Sequence, residues 1–343
     1  MGKIRRKGYR GLAHDEWLEI RKTFSAKGMV GGSDIGTIMH ANEYKSATEL
    51  YYDMVGITGK PFLGNQATMH GHHLEEYIAD SFRYYDGDVE NVRINRELGT
   101  PVNEIRNYNY IVTNSDFPAQ FANIDRRISK YYRRPNKPGI LECKNMRGYV
   151  FDKYKGGVPP SYLLQVQNYM AVLEMEYAVI AQFVDGAELH FFEVERSDYL
   201  IEQMRDAANS FQASVIEGRK IVEDIRKTYP HDPQMRDMLI NQELLTIGPD
   251  VSETKSMTDF LSDQHLLRAE TVSLKADATV TDTIALRHNM HEHKKALEAS
   301  MRLIDNSIRD YMVRNGVNVI DLGFNGTVSW YKQLRYNYKE DML

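Results

Sequence analysis

The chain has 343 residues, 42% hydrophobic and 27% charged, with a formal net charge of −5 at pH 7. That composition belongs to folded protein and excludes long disorder, collagen or a low-complexity scaffold. The absence of a run of about 18 apolar residues argues against a transmembrane helix, the basic start Met1–Lys7 lacks the apolar stretch of a secretory signal, and the lone Cys143 excludes a disulfide framework and a four-cysteine zinc or iron–sulfur centre, so a reduced, cytoplasmic location is expected.

Residues 12–24 carry Leu12, Trp17, Leu18 and Ile20 as the apolar positions of a short helix. Gly31-Gly32-Ser33-Asp34-Ile35-Gly36 then forms a turn into a second helix, with Ser33 or Asp34 as its cap. It is not a P-loop, because no Gly-Lys-Ser/Thr follows. Residues 46–56 read as a third helix capped by Ser46, and 65–85 as a fourth with Met69, Leu74, Ile78 and Phe82 at helical spacing.

The middle of the chain has strand character, at 108–113, 121–128 and 140–144, with a turn at Arg133–Gly139. Gly156–Pro160 breaks the chain, and Ser161 opens a helix to about Met175. Strands at Tyr177–Val184 and Glu188–Glu195 flank Asp185-Gly186, a hairpin turn signal, and a long amphipathic helix follows over about 197–225. Pro230, Pro233 and Pro249 punctuate 226–255, which reads as a linker. Two further helices, 261–274 and 284–313, read as an antiparallel pair burying the stripe Leu286, Met290, Leu297, Met301, Ile304, Ile308 and Met312. Strands at 317–322 and 327–334 flank a last turn, Asn325-Gly326.

The charge is unevenly spread. Residues 1–30 hold eight Lys/Arg against three acids, and residues 124–155 hold ten against three, which leaves the rest at −17. Two basic stretches in an acidic chain point to a local polyanion-binding surface, with a solvated loop as the plainer reading.

The stretch most informative about chemistry is Asp125 followed by Glu142-Cys143-Lys144. On a strand, residues two apart share a face, so Glu142 and Lys144 point one way and Cys143 the other. With Asp125 beside Glu142, two carboxylates and a main-chain carbonyl make an oxygen site suited to Mg²⁺, with Mn²⁺ as an alternative. The lysine can orient water or stabilise charge developing on a phosphate. Histidines 70, 72 and 73 flank Glu75. His72 and Glu75 share a helix face that His73 does not, so they read as solvated or phosphate-contacting rather than as a zinc site. His288, His291 and His293 read as surface residues.

In motif order over about residues 14–200, the sequence resembles the lambda-exonuclease-like (YqaJ-type) viral recombinase nucleases of the PD-(D/E)XK superfamily. The resemblance is carried by Trp17-Leu-Glu-Ile-Arg21, Gly31-Gly-Ser-Asp-Ile35, Asn65–Glu75, Ile124-Asp125 with Leu141-Glu142-Cys143-Lys144, and Tyr162–Val172. It implies an α/β fold, a restriction-endonuclease-like core with a central mixed sheet flanked by helices, followed by a mostly helical C-terminal extension. It implies Asp125, Glu142 and the Cys143 carbonyl as metal ligands and Lys144 as the catalytic lysine. Glu75, favoured over Glu76 by its spacing from Gly71, matches the glutamate that helps hold the metal or its water. Gln165 matches the glutamine beside the active site, and Arg21 and Ser33 match positions that bind a 5′-terminal phosphate. Two departures stand out: Ile124-Asp125-Arg126 where the family usually has Pro-Asp-Gly, which leaves Arg126 free to reach a phosphate, and His70-Gly71 where it usually has Trp-Gly.

The expectation is a Mg²⁺-dependent deoxyribonuclease that processes double-stranded DNA ends, a 5′–3′ exonuclease leaving 3′ overhangs for a phage-type single-strand annealing protein. It would be phage or prophage encoded and act in the bacterial host cytoplasm, in a trimeric ring if it is processive. Its rivals are an endonuclease of the same superfamily and a non-catalytic DNA-binding scaffold. The expected organisation is a nuclease domain at 1–225, a linker at 226–255 and an accessory module with a terminal β-hairpin at 256–343.

Overall fold

The structure, a computed structural model, describes residues 2–57, 66–250, 255–266, 276–322, 326–330 and 334–338. In chain order the elements are β1 (Ile4–Gly8), α1 (His14–Ser25), α2 (Gly32–Ile38), α3 (Ala47–Val55), α4 (Gln66–Arg83), α5 (Asn91–Glu97), β2 (Glu104–Asn107), β3 (Tyr110–Asn114), β4 (Phe117–Ala122), β5 (Arg126–Lys130), β6 (Gly139–Met146), α6 (Gly148–Lys153), α7 (Pro160–Leu173), β7 (Tyr177–Val184), β8 (Glu188–Glu195), α8 (Asp198–Thr228), α9 (Pro233–Ile247) and α10 (Lys255–Leu266). Then follow α11 (Ala278–Asn315), β9 (Val319–Asp321), β10 (Gly326–Trp330) and β11 (Leu334–Tyr338). The chain separates into two compact units, Met1–Leu267 and Arg268–Leu343.

The first unit is built on a five-stranded mixed sheet in the order β2-β5-β6-β7-β8. Only β6 and β7 run parallel, from Ile140 opposite Ala178 to Met146 opposite Val184. The crossover between them is α7, as a parallel pair requires. β7 is buried along its whole length, because its two faces feed different cores. Ala178 and Ile180 face the larger core with α2, α3, α7 and α8, while Tyr177, Val179, Ala181 and Phe183 face a second core under α4. A smaller antiparallel sheet, β1-β3-β4, lies beside the larger core. The α/β architecture of a mixed sheet flanked by helices is therefore as the sequence suggests.

Local signals explain most element ends. Ser46 accepts from Glu49 N–H at 3.1 Å and caps α3. Asp185 and Gly186, at φ 48° and 72°, supply the left-handed pair of a tight hairpin turn, and β7 and β8 pair through eight rungs from it. α2 starts two residues earlier than a Ser33 cap would place it, and three earlier than an Asp34 cap: Gly31 is the cap, and the Asp34 carboxylate accepts from Gly31 N–H at 3.1 Å. α7 begins at Pro160, whose missing N–H costs nothing in the first turn, so Ser161 lies inside the helix.

Two regions differ from the sequence expectation. The segment read as a linker contains α9. Asp232 caps it through Met235 N–H at 2.9 Å, Pro233 sits in its first turn, and Ile240 and Leu244 join the larger core. A proline at a helix start nucleates rather than breaks, which is why punctuation misled here. The helix expected at 261–274 begins earlier, at Lys255, and lies outside the described residues from 267 on. α10 packs into the first unit, with Phe260 edge-on to Tyr52 at 4.8 Å between ring centroids. α11 belongs to the second unit, and Leu286, Met290, Leu297, Met301 and Ile304 remain exposed. In that unit β10 pairs antiparallel with β9 and β11; the Asn325 side of the expected turn lies outside the described residues. Among the described residues no helix is long and apolar enough to cross a membrane.

Candidate active site

Phe121–Ile128 reads as one strand from sequence, but the chain leaves one sheet and enters another within it. β4 ends at Ala122, β5 starts at Arg126, and Asp125 lies in the short crossing between them. The β5–β6 ladder stops at Arg126 opposite Leu141. Beyond that rung the Asp125 carboxylate takes over and accepts the Cys143 main-chain N–H at 2.8 Å. A side chain in place of a strand thus fixes the aspartate against β6.

Glu142 and Lys144 share the β6 face turned towards α7, and Leu141 and Cys143 face the other core. Lys144 Nζ lies 2.8 Å from Glu142 Oε1. Gln165 of α7 ties both together: its Nε2 donates to Glu142 Oε1 at 2.6 Å, and its Oε1 accepts from Lys144 Nζ at 3.0 Å. The same Nε2 donates to the Tyr169 hydroxyl at 2.8 Å, and the Tyr162 ring stacks over Lys144 Nζ at 4.7 Å. Four of the residues singled out in the sequence, Asp125, Glu142, Lys144 and Gln165, are therefore brought to one place.

Burial raises the Asp125 carboxyl well above the ordinary range, and the nearby Glu142 and Glu75 charges raise it further. Burial also raises Glu142, against the lowering effect of Lys144. Burial alone would depress the Lys144 ammonium, but Glu142 and Asp125 outweigh it and hold the lysine charged. Glu142 Oε2 is buried and has no hydrogen-bond partner among the described residues. An ionised carboxylate oxygen rarely stays unsatisfied in a protein interior, so this atom marks room for a cation. Asp125, Glu142 and the Cys143 carbonyl form the hard-oxygen donor set that fits Mg²⁺ or Mn²⁺.

Glu75 is close by but differently engaged. Arg126, only 10% exposed, pairs with Glu75, lies 2.7 Å from Glu76 Oε2 and donates to the Asp125 carbonyl at 2.8 Å. Arg126 is thus turned inward and is not free to reach a phosphate at the surface. Among the described residues, no three His, Cys, Asp or Glu side chains come together in metal-ligating geometry. His70 and His72 side chains lie outside the described residues, and His73 is exposed.

Arg21 and Ser33, far apart in sequence logic, meet in space: Arg21 donates to Ser33 Oγ at 3.2 Å. Trp17 and Phe121 bracket the guanidinium at 5.8 and 5.9 Å, and Trp17 Nε1 is anchored on Asn123 Oδ1 at 3.0 Å. Ser33, Lys144 and Gln165 line a cleft of about 420 Å³ together with Tyr44, Tyr149 and Tyr154. Gly32 lets α2 approach α7 there, since a Cβ on it would overlap the Tyr169 ring.

The basic stretch 124–155 is largely neutralised within the fold. Arg126, Arg133, Arg134, Lys137, Lys144 and Lys153 all sit in ion pairs, with Glu193, Glu195, Glu176 and Glu43 among the acids. Sequence reasoning missed the inward role of Arg126, the Tyr162 ring over Lys144, and Gln182, which lies level with Lys144 on β7 and is fully buried. The interruption of the family's Pro-Asp-Gly by arginine was the one signal for Arg126.

Residues 16–176 match the family model described as a YqaJ-like viral recombinase domain. The uncharacterized protein YqaJ of Bacillus subtilis (strain 168) is 27% identical over 272 residues, spanning 74% of this chain and 77% of that protein. Among solved structures, the alkaline exonuclease LHK-Exo of Laribacter hongkongensis aligns at a TM-score of 0.46 and 18% identity, over 64% of this chain and 100% of that one. A phage-related exonuclease from Haemophilus somnus 129PT aligns at 0.35 and 16%, over 55% of this chain and 95% of that one.

Proposed function

We propose that this chain, which carries a YqaJ-like viral recombinase domain over residues 16–176, is a metal-dependent DNA nuclease that hydrolyses phosphodiester bonds at duplex ends in the 5′ to 3′ direction. The observation that carries this reading is the convergence of Asp125, Glu142, Lys144 and Gln165 beside a buried carboxylate oxygen that lacks a partner.

Asp125, Glu142 and the Cys143 carbonyl would hold the divalent ion, with Glu75 near enough to bind its water. When bound, such an ion lowers the pKa of a water and offsets negative charge on the phosphate. The remaining work belongs to the chain. Lys144 holds a fixed positive charge where negative charge grows on the phosphate oxygens as water adds to phosphorus and the P–O3′ bond breaks. The products are a 5′-phosphorylated nucleotide and a shortened strand. Gln165 keeps Lys144 and Glu142 in register, so neither has to reorganise as the bond breaks. Arg21 and Ser33 offer a charge-assisted donor pair for a 5′-terminal phosphate. Repeated cleavage from the 5′ end leaves a 3′ overhang, the form of DNA that a single-strand annealing protein takes.

Incubating linear duplex with the purified chain in Mg²⁺ or in EDTA tests the core of this reading. Release of acid-soluble nucleotides in Mg²⁺ only, lost in Asp125→Asn and in Lys144→Ala, is expected. Equal digestion by the Lys144→Ala protein would remove the lysine from the mechanism, and digestion in EDTA would remove the metal.

A further inference from the structure

We propose that Tyr44 and Tyr149 form a stacking site for unpaired bases at the 5′ end of the strand being cut, with Arg147 taking a phosphate of the same strand. The proposal rests on the nuclease reading above and adds to it the form in which the DNA end is held.

Two tyrosines without a packing role carry the argument. Tyr44 is 76% exposed and Tyr149 70%, and both line the cleft of about 420 Å³ that Ser33, Lys144 and Gln165 share. Exposed rings scattered singly over a surface are ordinary, but rings gathered in a concavity beside reactive groups mark a contact surface. The backbone around each ring is braced. Asn42 donates to Thr37 Oγ1 at 2.9 Å and accepts the Tyr44 N–H at 2.9 Å, a turn that holds Tyr44 in place. α6, which carries Tyr149, buries none of its residues. It is fixed instead by Phe151, whose ring lies 4.4 Å from that of His190, and by Lys153, which pairs with Glu43 next to Tyr44. The Tyr154 hydroxyl donates to the same Glu43 carboxylate at 3.4 Å.

The class of ligand follows from what the cleft offers. Aromatic rings beside a cation are the chemistry that takes single strands, since bases stack on the rings and phosphates meet the charge. Arg147 supplies that charge. It is exposed, lines the cleft and, unlike Lys144 and Lys153, forms no ion pair among the described residues. A cleft of about 420 Å³ lies near the lower end of the range for ligand pockets, about 300–1,000 Å³, so it admits a splayed nucleotide and excludes a stacked duplex. A base inside a duplex is stacked on its neighbours, and opening the end costs that stacking. The two tyrosines offset the loss, in the cleft that also holds Ser33 and Lys144.

Single-turnover digestion in Mg²⁺ of two linear duplexes tests this, one with natural 5′-phosphorylated ends and one with abasic residues at its 5′-terminal positions. An abasic end cannot pair, so slower cutting of it reports a lost contact rather than a closed end. The unaltered chain is expected to cut the natural end at least about ten-fold faster, the loss that removing a stacked base gives. Tyr44→Ala combined with Tyr149→Ala should bring that ratio close to one, whereas Tyr44→Phe combined with Tyr149→Phe, which keeps both rings, should retain it. A merely structural role would slow both ends alike and leave the ratio unmoved. Arg147→Ala should weaken binding of both duplexes and flatten its salt dependence; an unchanged salt dependence would remove Arg147 from the site. A ratio near one in the unaltered chain, a ratio unmoved by the alanines, or one lost in the phenylalanine variant would overturn the proposal while leaving the nuclease reading intact. No digestion of either duplex by the unaltered chain would remove both.

Discussion

Gln165 and Glu142 are joined by a 2.6 Å hydrogen bond from Nε2 to Oε1, across the interface between α7 and β6. The bond links the helix that crosses over the sheet to the strand that carries the chemistry. Lys144 closes the triangle by donating to the Gln165 carbonyl oxygen. Neutral glutamine suits this place, because it can donate to a carboxylate and accept from an ammonium at the same time.

Gln165→Leu should therefore weaken activity and stability together. It strips a buried carboxylate and a buried ammonium of a partner, at a cost of roughly 1–3 kcal/mol. Loosening Lys144 by even an ångström should slow cleavage on the order of 100-fold. Urea midpoints and single-turnover rates check both. An unchanged rate in a destabilised protein would reduce Gln165 to a structural residue.

Gly32→Ala should act at a distance. The added methyl overlaps the Tyr169 ring, whose hydroxyl is held by Gln165. Overpacking of this kind costs about 1–3 kcal/mol. Gly36→Ala meets Ser161 Cβ at 3.1 Å, a milder contact, and should be the gentler change. Thermal midpoints of the two variants measured side by side decide it; a larger loss for Gly36→Ala would contradict the packing of α2 on α7.

These relationships were only partly legible in the sequence. The hairpin of Tyr177–Val184 and Glu188–Glu195 was readable from sequence, because Asp185-Gly186 marks the tight turn between two β-rich runs and the turn sets the register. The β-character around Asp125 was readable too, but not the switch between sheets, since no glycine or proline marks the crossing at 123–125. β1 was missed because Arg5, Arg6 and Lys7 mask a strand whose stability comes from pairing with β3, 102 or more positions away. Glu142, Lys144 and Gln165 follow from spacing and motif. The Arg126 pairing with Glu75 and Glu76 does not, because nothing local says which of the chain's acids a basic residue will meet.

The buried Asp125 carboxyl gives a pH dependence with a definite sign. Its folded pKa is raised, first by burial and then by Glu142 and Glu75. Between its ordinary value and that raised value the folded chain binds more protons than the unfolded one, so stability falls as pH rises through that interval. In EDTA, the unaltered chain should lose stability relative to Asp125→Asn from about pH 4 upwards. Added Mg²⁺ should stabilise the unaltered chain more at higher pH, since it binds the ionised form. Chemical unfolding across the pH range is the check, and a difference from Asp125→Asn that does not change with pH would contradict the buried carboxyl.

Arg21→Ala should separate end recognition from chemistry. The guanidinium sits between Trp17 and Phe121 and on Ser33, and makes no contact with Asp125 or Glu142 among the described residues. Loss of a charge-assisted contact to a phosphate is worth roughly 1.5–3 kcal/mol, or about a 10- to 100-fold drop on 5′-phosphorylated ends. The rate on 5′-hydroxyl ends should change little. A uniform fall on both ends would assign Arg21 to the fold instead.

The central claim is best tested by offering three DNAs at once: linear duplex with 5′-phosphate, linear duplex with 5′-hydroxyl, and a covalently closed circle, each with Mg²⁺ or EDTA and with Glu142→Ala as control. Rapid Mg²⁺-dependent loss of the 5′-phosphorylated linear duplex, slower loss of the hydroxyl form, an intact circle, and no digestion by Glu142→Ala are expected. Cutting of the circle would make the protein an endonuclease, and failure to cut any of the three would leave a DNA-binding scaffold in place of an enzyme.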